Sequence, residues 1–269
     1  MTEKLIQELN RLKKIRDVNH WEPVRGPKNF IKSKLSTPTG DRAVWIPKDD
    51  NHNKDLQSSR SVGLGGVEEL NDIEINFNSG MELTHTDIVR IKELEEVISI
   101  YNSISVNHNL PSFKMLGMCE IGFRYPRLMK AYADKHGVPV EGYDVSTMAV
   151  EYAKSKGYNA KECDINHDSI NLDDSNLVVM YHVLEHLSNP CEAIKKIFNA
   201  LPEYSICHFE VPIENEKPQF EYGHLFGFCP GDLVHYVSSA GFAILSQVTK
   251  NIGETAVHIE RITGMKISV

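Results

Sequence analysis

The sequence predicts an α/β fold, a sheet covered by helices on both faces, behind an N-terminal region of helix and loop. Two observations carry this. From Phe113 onward short apolar runs alternate with helical segments at the spacing of successive strand and helix units. Upstream, residues 18–80 are dense in Gly, Pro, Asn, Asp and Ser and hold only short apolar pieces, at 43–46 and 73–77. The predicted division is a helical and loop cap over residues 1–105 and the sheet domain over residues 106–269.

The elements follow in chain order. The opening MTEKLIQELNRLKKIRD sets Leu5, Ile6, Leu9, Leu12 and Ile15 among charges, which reads as an amphipathic helix and not as the apolar stretch of a secretory signal. Residues 18–80 read as loops and short strands; they hold Trp21, Trp45 and the cluster Gly63, Gly65, Gly66, suited to turns or a flap. From Thr86 the residues Ile88, Ile91, Leu94, Val97, Ile98, Tyr101 and Ile104 form a helix-period stripe. Strands are predicted over residues 114–121, 140–143, 159–162, 177–181, 205–211, 242–248 and 256–262, the last two joined around residues 251–254. Helices are predicted over residues 126–135 and 148–156, the latter capped by Ser146 and stopped by Gly157. Another opens at Asn189-Pro190, and one over residues 230–240 is stopped by Gly241.

Composition narrows the function. The 269 residues carry 29 Lys and Arg against 37 Asp and Glu, a formal net charge of −8, which gives no support for non-specific binding to nucleic acid or to an anionic membrane. No apolar run approaches the roughly 20 residues that span a bilayer. The five cysteines, Cys119, Cys163, Cys191, Cys207 and Cys229, are widely spaced and form no CxxC pair, which argues against a disulfide scaffold or a cysteine zinc site. A soluble protein in a reducing, cytoplasmic setting is expected.

In an open sheet of this kind ligands bind at the carboxyl ends of the strands, where the strand order reverses. Glu120, Asp144 and Asp164 hold such positions, and an acid at the end of a second strand can accept two hydrogen bonds from a ribose diol. In the first turn, Cys119-Glu120-Ile121-Gly122-Phe123-Arg124-Tyr125-Pro126, only Gly122 offers an open backbone, which disfavours a dinucleotide site. After the strongest strand stands His182-Val183-Leu184-Glu185-His186. Read as HxxEH it matches an inverted zinc-protease signature, but that motif belongs inside a long helix, whereas here it begins at a strand end. A divalent metal on His182, Glu185, His186 and His224 is the lesser reading; polar residues lining a loop above the sheet are preferred. In the later segment, His224 near a substrate pocket suits a base, while Phe226 and Phe228 serve either as pocket walls or as pegs into the core.

With these residues in view, residues 113–242 resemble the class I S-adenosylmethionine-dependent methyltransferases, especially those acting on small molecules and sugars. The resemblance rests on Glu120-Ile121-Gly122 as the acidic-apolar-Gly opening of the cofactor loop, on Asp144 in Gly142-Tyr143-Asp144-Val145-Ser146, and on Cys163-Asp164-Ile165. Its longest part runs from Asn176 through Tyr181 and His182-Val183-Leu184-Glu185-His186 to Pro190. It implies a Rossmann-like, seven-stranded, mostly parallel sheet with an antiparallel last strand. It also implies S-adenosylmethionine as cofactor, bound by Glu120, Gly122, Asp144, Val145, Asp164, Ile165 and Tyr181, with His224 or His182 taking a proton from a small-molecule hydroxyl. Arg124 and Pro126 replace two usual glycines, and Asn176 replaces the usual Asp, so an unusual cofactor loop is implied. The rival reading is a methyltransferase-like binding or scaffold protein without catalysis.

Overall fold

The computed structural model describes residues 30–48, 80–214, 223–252 and 257–267, with Gln7, Glu8, Arg11 and Lys54 besides. Apart from Gln7, Glu8 and Arg11, the helix expected over residues 1–17 lies outside the described residues, as do Trp21, Gly63, Gly65, Gly66 and the apolar piece at 73–77. Trp45 sits in a hairpin of β1 (Phe30–Thr37) and β2 (Gly40–Pro47), paired antiparallel.

The apolar runs become one sheet of seven strands: β3 (Met118–Ile121), β4 (Val140–Asp144), β5 (Asn159–Glu162), β6 (Leu177–Tyr181), β7 (Ile206–Pro212), β8 (Phe242–Ile252) and β9 (Val257–Lys266), in the order β5-β4-β3-β6-β7-β9-β8. The first five pair in parallel, and β9 runs antiparallel to both β7 and β8. Around the sheet, among the described residues, stand the helices α1 (His85–Asn107), α2 (Arg127–His136), α3 (Thr147–Ser155), α4 (Pro190–Ala200) and α5 (Asp232–Ser239). Side chains alternate along a strand, so a strand covered on both sides must be apolar throughout. β6 is: Leu177 and Val179 join the core of Leu94, Met129 and Ala149 from α1, α2 and α3, while Val178 and Met180 join that of Ile194, Ile197 and Leu233 from α4 and α5. Each such side chain contributes about 1.5–3 kcal/mol when fully buried.

The boundaries that differ from the sequence reading by more than one residue do so for local reasons. The first strand starts at Met118 because the Asn176 side chain holds the preceding segment: Leu116 N donates to Asn176 Oδ1 (2.8 Å) and Asn176 Nδ2 donates to Lys114 O (2.8 Å). α5 starts at Asp232 because Gly231 stands at φ +85°, outside helical geometry. The terminal strands run past residues 248 and 262, since their pairing continues from Phe242↔Lys266 to Ile252↔Val257. Five free cysteines are present, with Cys119, Cys163 and Cys207 buried. Among the described residues no helix is long and apolar enough to cross a membrane.

Candidate functional site

β3 lies between β4 and β6, and the chain leaves it to opposite sides, so a crevice opens at the carboxyl ends of these strands. A cleft of about 360 Å³ occupies it. Gly122 forms its floor with φ +71°, and a Cβ there would overlap Val183 Cγ2, so the position needs glycine twice over. Its N–H donates to Tyr143 O at 2.7 Å, tying the loop to β4. Arg124, where the resemblance expects a second glycine, also takes the left-handed region at φ +42°, at a cost of about 1–3 kcal/mol. Its backbone N–H donates to Asp144 Oδ2 at 2.9 Å. The loop thus holds a glycine-like bend without the glycine.

Asp144 is 5% exposed. Its Oδ1 accepts from Ser146 N at 2.8 Å, so both oxygens are held by backbone donors, with Val145 N–H acting on the carboxylate as well. Burial raises its pKa, while the N–H groups of Ser146 and Arg124 pull the other way. Glu120 is buried with no hydrogen-bond partner for Oε2 among the described residues, and burial pushes its pKa well up. Asp164 Oδ1 accepts from Asn166 N (3.0 Å) and Nδ2 (2.9 Å). Glu120, Gly122, Asp144, Val145, Asp164, Ile165 and Tyr181 all line this one cleft.

The facing wall is built of ion pairs that the sequence reading did not contain. Asp87 of α1 accepts from Arg127 Nε (2.6 Å), Arg90 Nη1 (3.1 Å) and Thr84 N (2.9 Å). Glu210 of β7 takes Arg90 on Oε1 and Arg261 on Oε2, with the Nε of each at 3.1 Å and 2.7 Å. Arg90 also lies 4.5 Å over the Tyr181 ring. His182, in the left-handed region at φ +55°, reaches Glu210 Oε1 with Nε2 (3.0 Å) and Glu185 Oε1 with Nδ1 (3.3 Å). Burial works against its charge, but the two carboxylates outweigh that and push its pKa up to about 9. Asp87, Arg90 and Arg127 carry no period or motif that sets them apart from solvated helix charges, so only the fold exposes their role.

Behind the cleft, Leu225 N and Phe226 N both donate to Glu185 O (2.7 and 3.0 Å), which seats the segment carrying His224 against Glu185-His186. His186 lines the cleft; His224 does not, and lies 4.8 Å from it, ring centre to ring centre. The sequence reading grouped four metal ligands, and the structure separates them: donor atoms of Glu185, His186 and His224 lie within 4.8 Å of one another, while His182 turns to Glu185 and Glu210. Phe226 and Phe228 are core pegs, packed with Tyr236. The hairpin is joined here too, with Trp45 N on Leu225 O (2.9 Å) and Arg42 on Asp232 (2.8 Å).

Comparison with known proteins matches this geometry. Residues 119–247 match the model of a family described as a methyltransferase domain. No curated protein matches the chain in sequence. Among solved structures, the [4+2]-cyclase SpnF is 13% identical with a TM-score of 0.51, over 66% of this chain and 81% of that one. The putative methyltransferase complexed with the Trm112 activator of Haloferax volcanii is also 13% identical with a TM-score of 0.51, over 66% and 93%. The N-methyltransferase NodS of Bradyrhizobium japonicum WM9, solved with S-adenosyl-L-homocysteine, is 15% identical with a TM-score of 0.48, over 65% and 87%. Residues 119–247, just under half of the chain, are thus similar to a methyltransferase domain, and the solved structures share the fold of the sheet that carries the cleft.

Proposed function

We propose that the methyl acceptor is an oxygen or nitrogen of a small molecule, a sugar or nucleotide-linked metabolite being the class that the resemblance suggests. One observation carries the site assignment: cofactor residues expected from several separate strand ends and loops meet in one cleft at the reversal of strand order. S-adenosylmethionine supplies an electrophilic, sulfonium-activated methyl carbon. The residues present suit it. Asp144, held in place on the cleft lining by backbone N–H groups, accepts from the ribose hydroxyls. Glu120 Oε2, without a partner among the described residues, accepts from the amino group, and Gly122 lets the backbone come close. Val145, Asp164 and Ile165 take the adenine end, and Tyr181, backed by Arg90, closes the floor.

Most of the rate enhancement would come from alignment of acceptor and methyl carbon. For a hydroxyl acceptor, His182 and His224 are the proposed proton acceptors: His182 lines the cleft but, held charged by Glu185 and Glu210, takes a proton only above about pH 9, and His224 stands behind His186 and is reached through it. The proposed cap over residues 1–105 is supported by α1, which contributes Asp87 and Arg90 to the cleft, and by the hairpin bonded to Leu225 and Asp232. Five free cysteines favour a reducing, cytoplasmic setting.

Because the fold is shared with a cyclase, the reaction must be argued from the site. Titration calorimetry with S-adenosylmethionine and S-adenosyl-L-homocysteine is the test, followed by acceptor screening. Micromolar binding is expected. Failure of both to bind overturns the donor assignment and leaves the scaffold reading, which Arg124 and Pro126 at glycine positions motivate.

A further inference from the structure

Glu185 is 1% exposed, and neither carboxylate oxygen makes a hydrogen bond among the described residues. The charged His182 answers part of this charge across Oε1, but Oε2 keeps no hydrogen-bond partner among the described residues, and a buried carboxylate oxygen left this way calls for a further donor or cation. His182 Nδ1 stands 3.3 Å from Oε1 without the alignment of a hydrogen bond, and His186 Nε2 is 3.9 Å from the same oxygen. The two neighbouring histidines are each held at Nδ1 by an acceptor. His224 Nδ1 donates to Glu214 Oε1 (2.7 Å) and His186 Nδ1 donates to Gly223 O (3.0 Å). A carbonyl only accepts, so in the neutral ring the lone pair of His186 is on Nε2; the Glu214 carboxylate selects the same tautomer in His224. Both rings are thereby set in the form that binds metals, each with the outer partner that metal-bound histidines carry. The pieces are also fixed to one another, because the segment bearing His224 hangs on the Glu185 carbonyl by two backbone hydrogen bonds.

From this we infer that Glu185, His186 and His224 form a binding site for one first-row divalent cation of the zinc type. Two imidazoles and one carboxylate suit zinc and its neighbours, whereas magnesium and calcium prefer all-oxygen shells. The donor atoms lie within 4.8 Å of one another; an ion with bonds of about 2.1 Å wants them roughly 3.4 Å apart, so binding draws them together. His186 belongs to both the cluster and the cleft wall, so an ion there faces the cleft that the methyl-donor reading fills. Binding of the ion itself does not depend on that reading.

The test uses the full chain stripped with a chelator and dialysed against micromolar zinc, with metal counted by mass spectrometry, and a parallel sample loaded with cobalt(II) for its visible absorption. One ion per chain and a cobalt spectrum typical of nitrogen and oxygen ligands are expected. Glu185→Gln and His224→Ala should each lower affinity at least 100-fold. Glu214→Gln, which leaves all three ligands in place, should lower it about 10- to 100-fold. Retention of less than a tenth of an equivalent by the wild-type chain overturns the site, as does affinity unchanged in His224→Ala and Glu214→Gln. Should Glu185→Gln misfold, the wild-type spectrum and Glu214→Gln decide. No readout involves S-adenosylmethionine, so failure here and failure of the donor reading are told apart.

Discussion

The two walls of the cleft solve the same problem, buried carboxylates, in opposite ways. On the β3–β4 side Asp144 is satisfied by uncharged backbone N–H groups, and Glu120 keeps an oxygen without a hydrogen-bond partner among the described residues. On the β6–β7 side Asp87 and Glu210 are locked to Arg90, Arg127, Arg261 and His182. Backbone dipoles hold an acid in place while leaving hydrogen-bonding capacity for a ligand; fixed cations consume that capacity and give rigidity instead. The first wall is therefore built to receive, and the second to hold shape.

The largest effect should come from the rigid wall. Glu210→Gln leaves Arg90 and Arg261 buried without their shared counter-charge, and about 3–5 kcal/mol of stability should be lost in chemical denaturation. A loss below about 1 kcal/mol would show that the two walls do not differ in this way. At the floor between them, Gly122→Ala must place a side chain at φ +71° against Val183, and a loss of about 2–3 kcal/mol in stability with abolished cofactor binding is expected. On the receiving wall, Asp144→Ala should weaken S-adenosylmethionine binding at least tenfold, about 1.4 kcal/mol, in calorimetry. Its thermal stability should fall less than that of Glu210→Gln; equal affinity would remove Asp144 from the ribose site. Smallest is the hairpin tie, where Asp232 accepts from Arg42 Nε (3.0 Å) and Nη2 (2.8 Å). Asp232→Asn should cost about 1 kcal/mol at neutral pH. Burial raises the pKa of Asp232, but Arg42 and Thr39 outweigh it and hold it below the usual carboxylate value. Its contribution is thus present above that usual value and is lost as pH falls through the lowered one. The gap between wild type and variant should close in acid; a gap that widens there would contradict the tie.

The same contrast explains what could be read from the sequence. β5 and β6 match their predicted spans residue for residue, since each is a short run bounded by turn residues, and β4 differs only in including Asp144. Glu120, Gly122, Asp144 and Asp164 were readable because strand ends deliver them to one edge by local rules. The rigid wall was not, because Arg90 and Glu210 are 120 positions apart and Arg261 and Glu210 are 51 apart. Asp87 and Arg90 lie one turn before Ile91 and Leu94 on the inward stripe of α1, and their charges are buried there because Glu210, Arg127 and Tyr181 meet them. His224 was identified by type, but its seat behind His186 depends on the two hydrogen bonds to the Glu185 carbonyl, which no local pattern encodes.

The five free thiols grade the molecule by accessibility. Cys119 and Cys207 are sealed inside the sheet, where burial pushes their pKa well up, so an alkylating reagent reaches them only when strands part. Cys191 and Cys229 are half-buried and meet the reagent far sooner. Cys163 differs from both groups because it stands on the cleft lining itself, 8% exposed. Its labelling rate is a built-in gauge of occupancy, slowing when a nucleoside fills the cleft while the rates at Cys191 and Cys229 hold steady, so that one mass spectrum of a timed reaction separates a filled site from a stiffened protein.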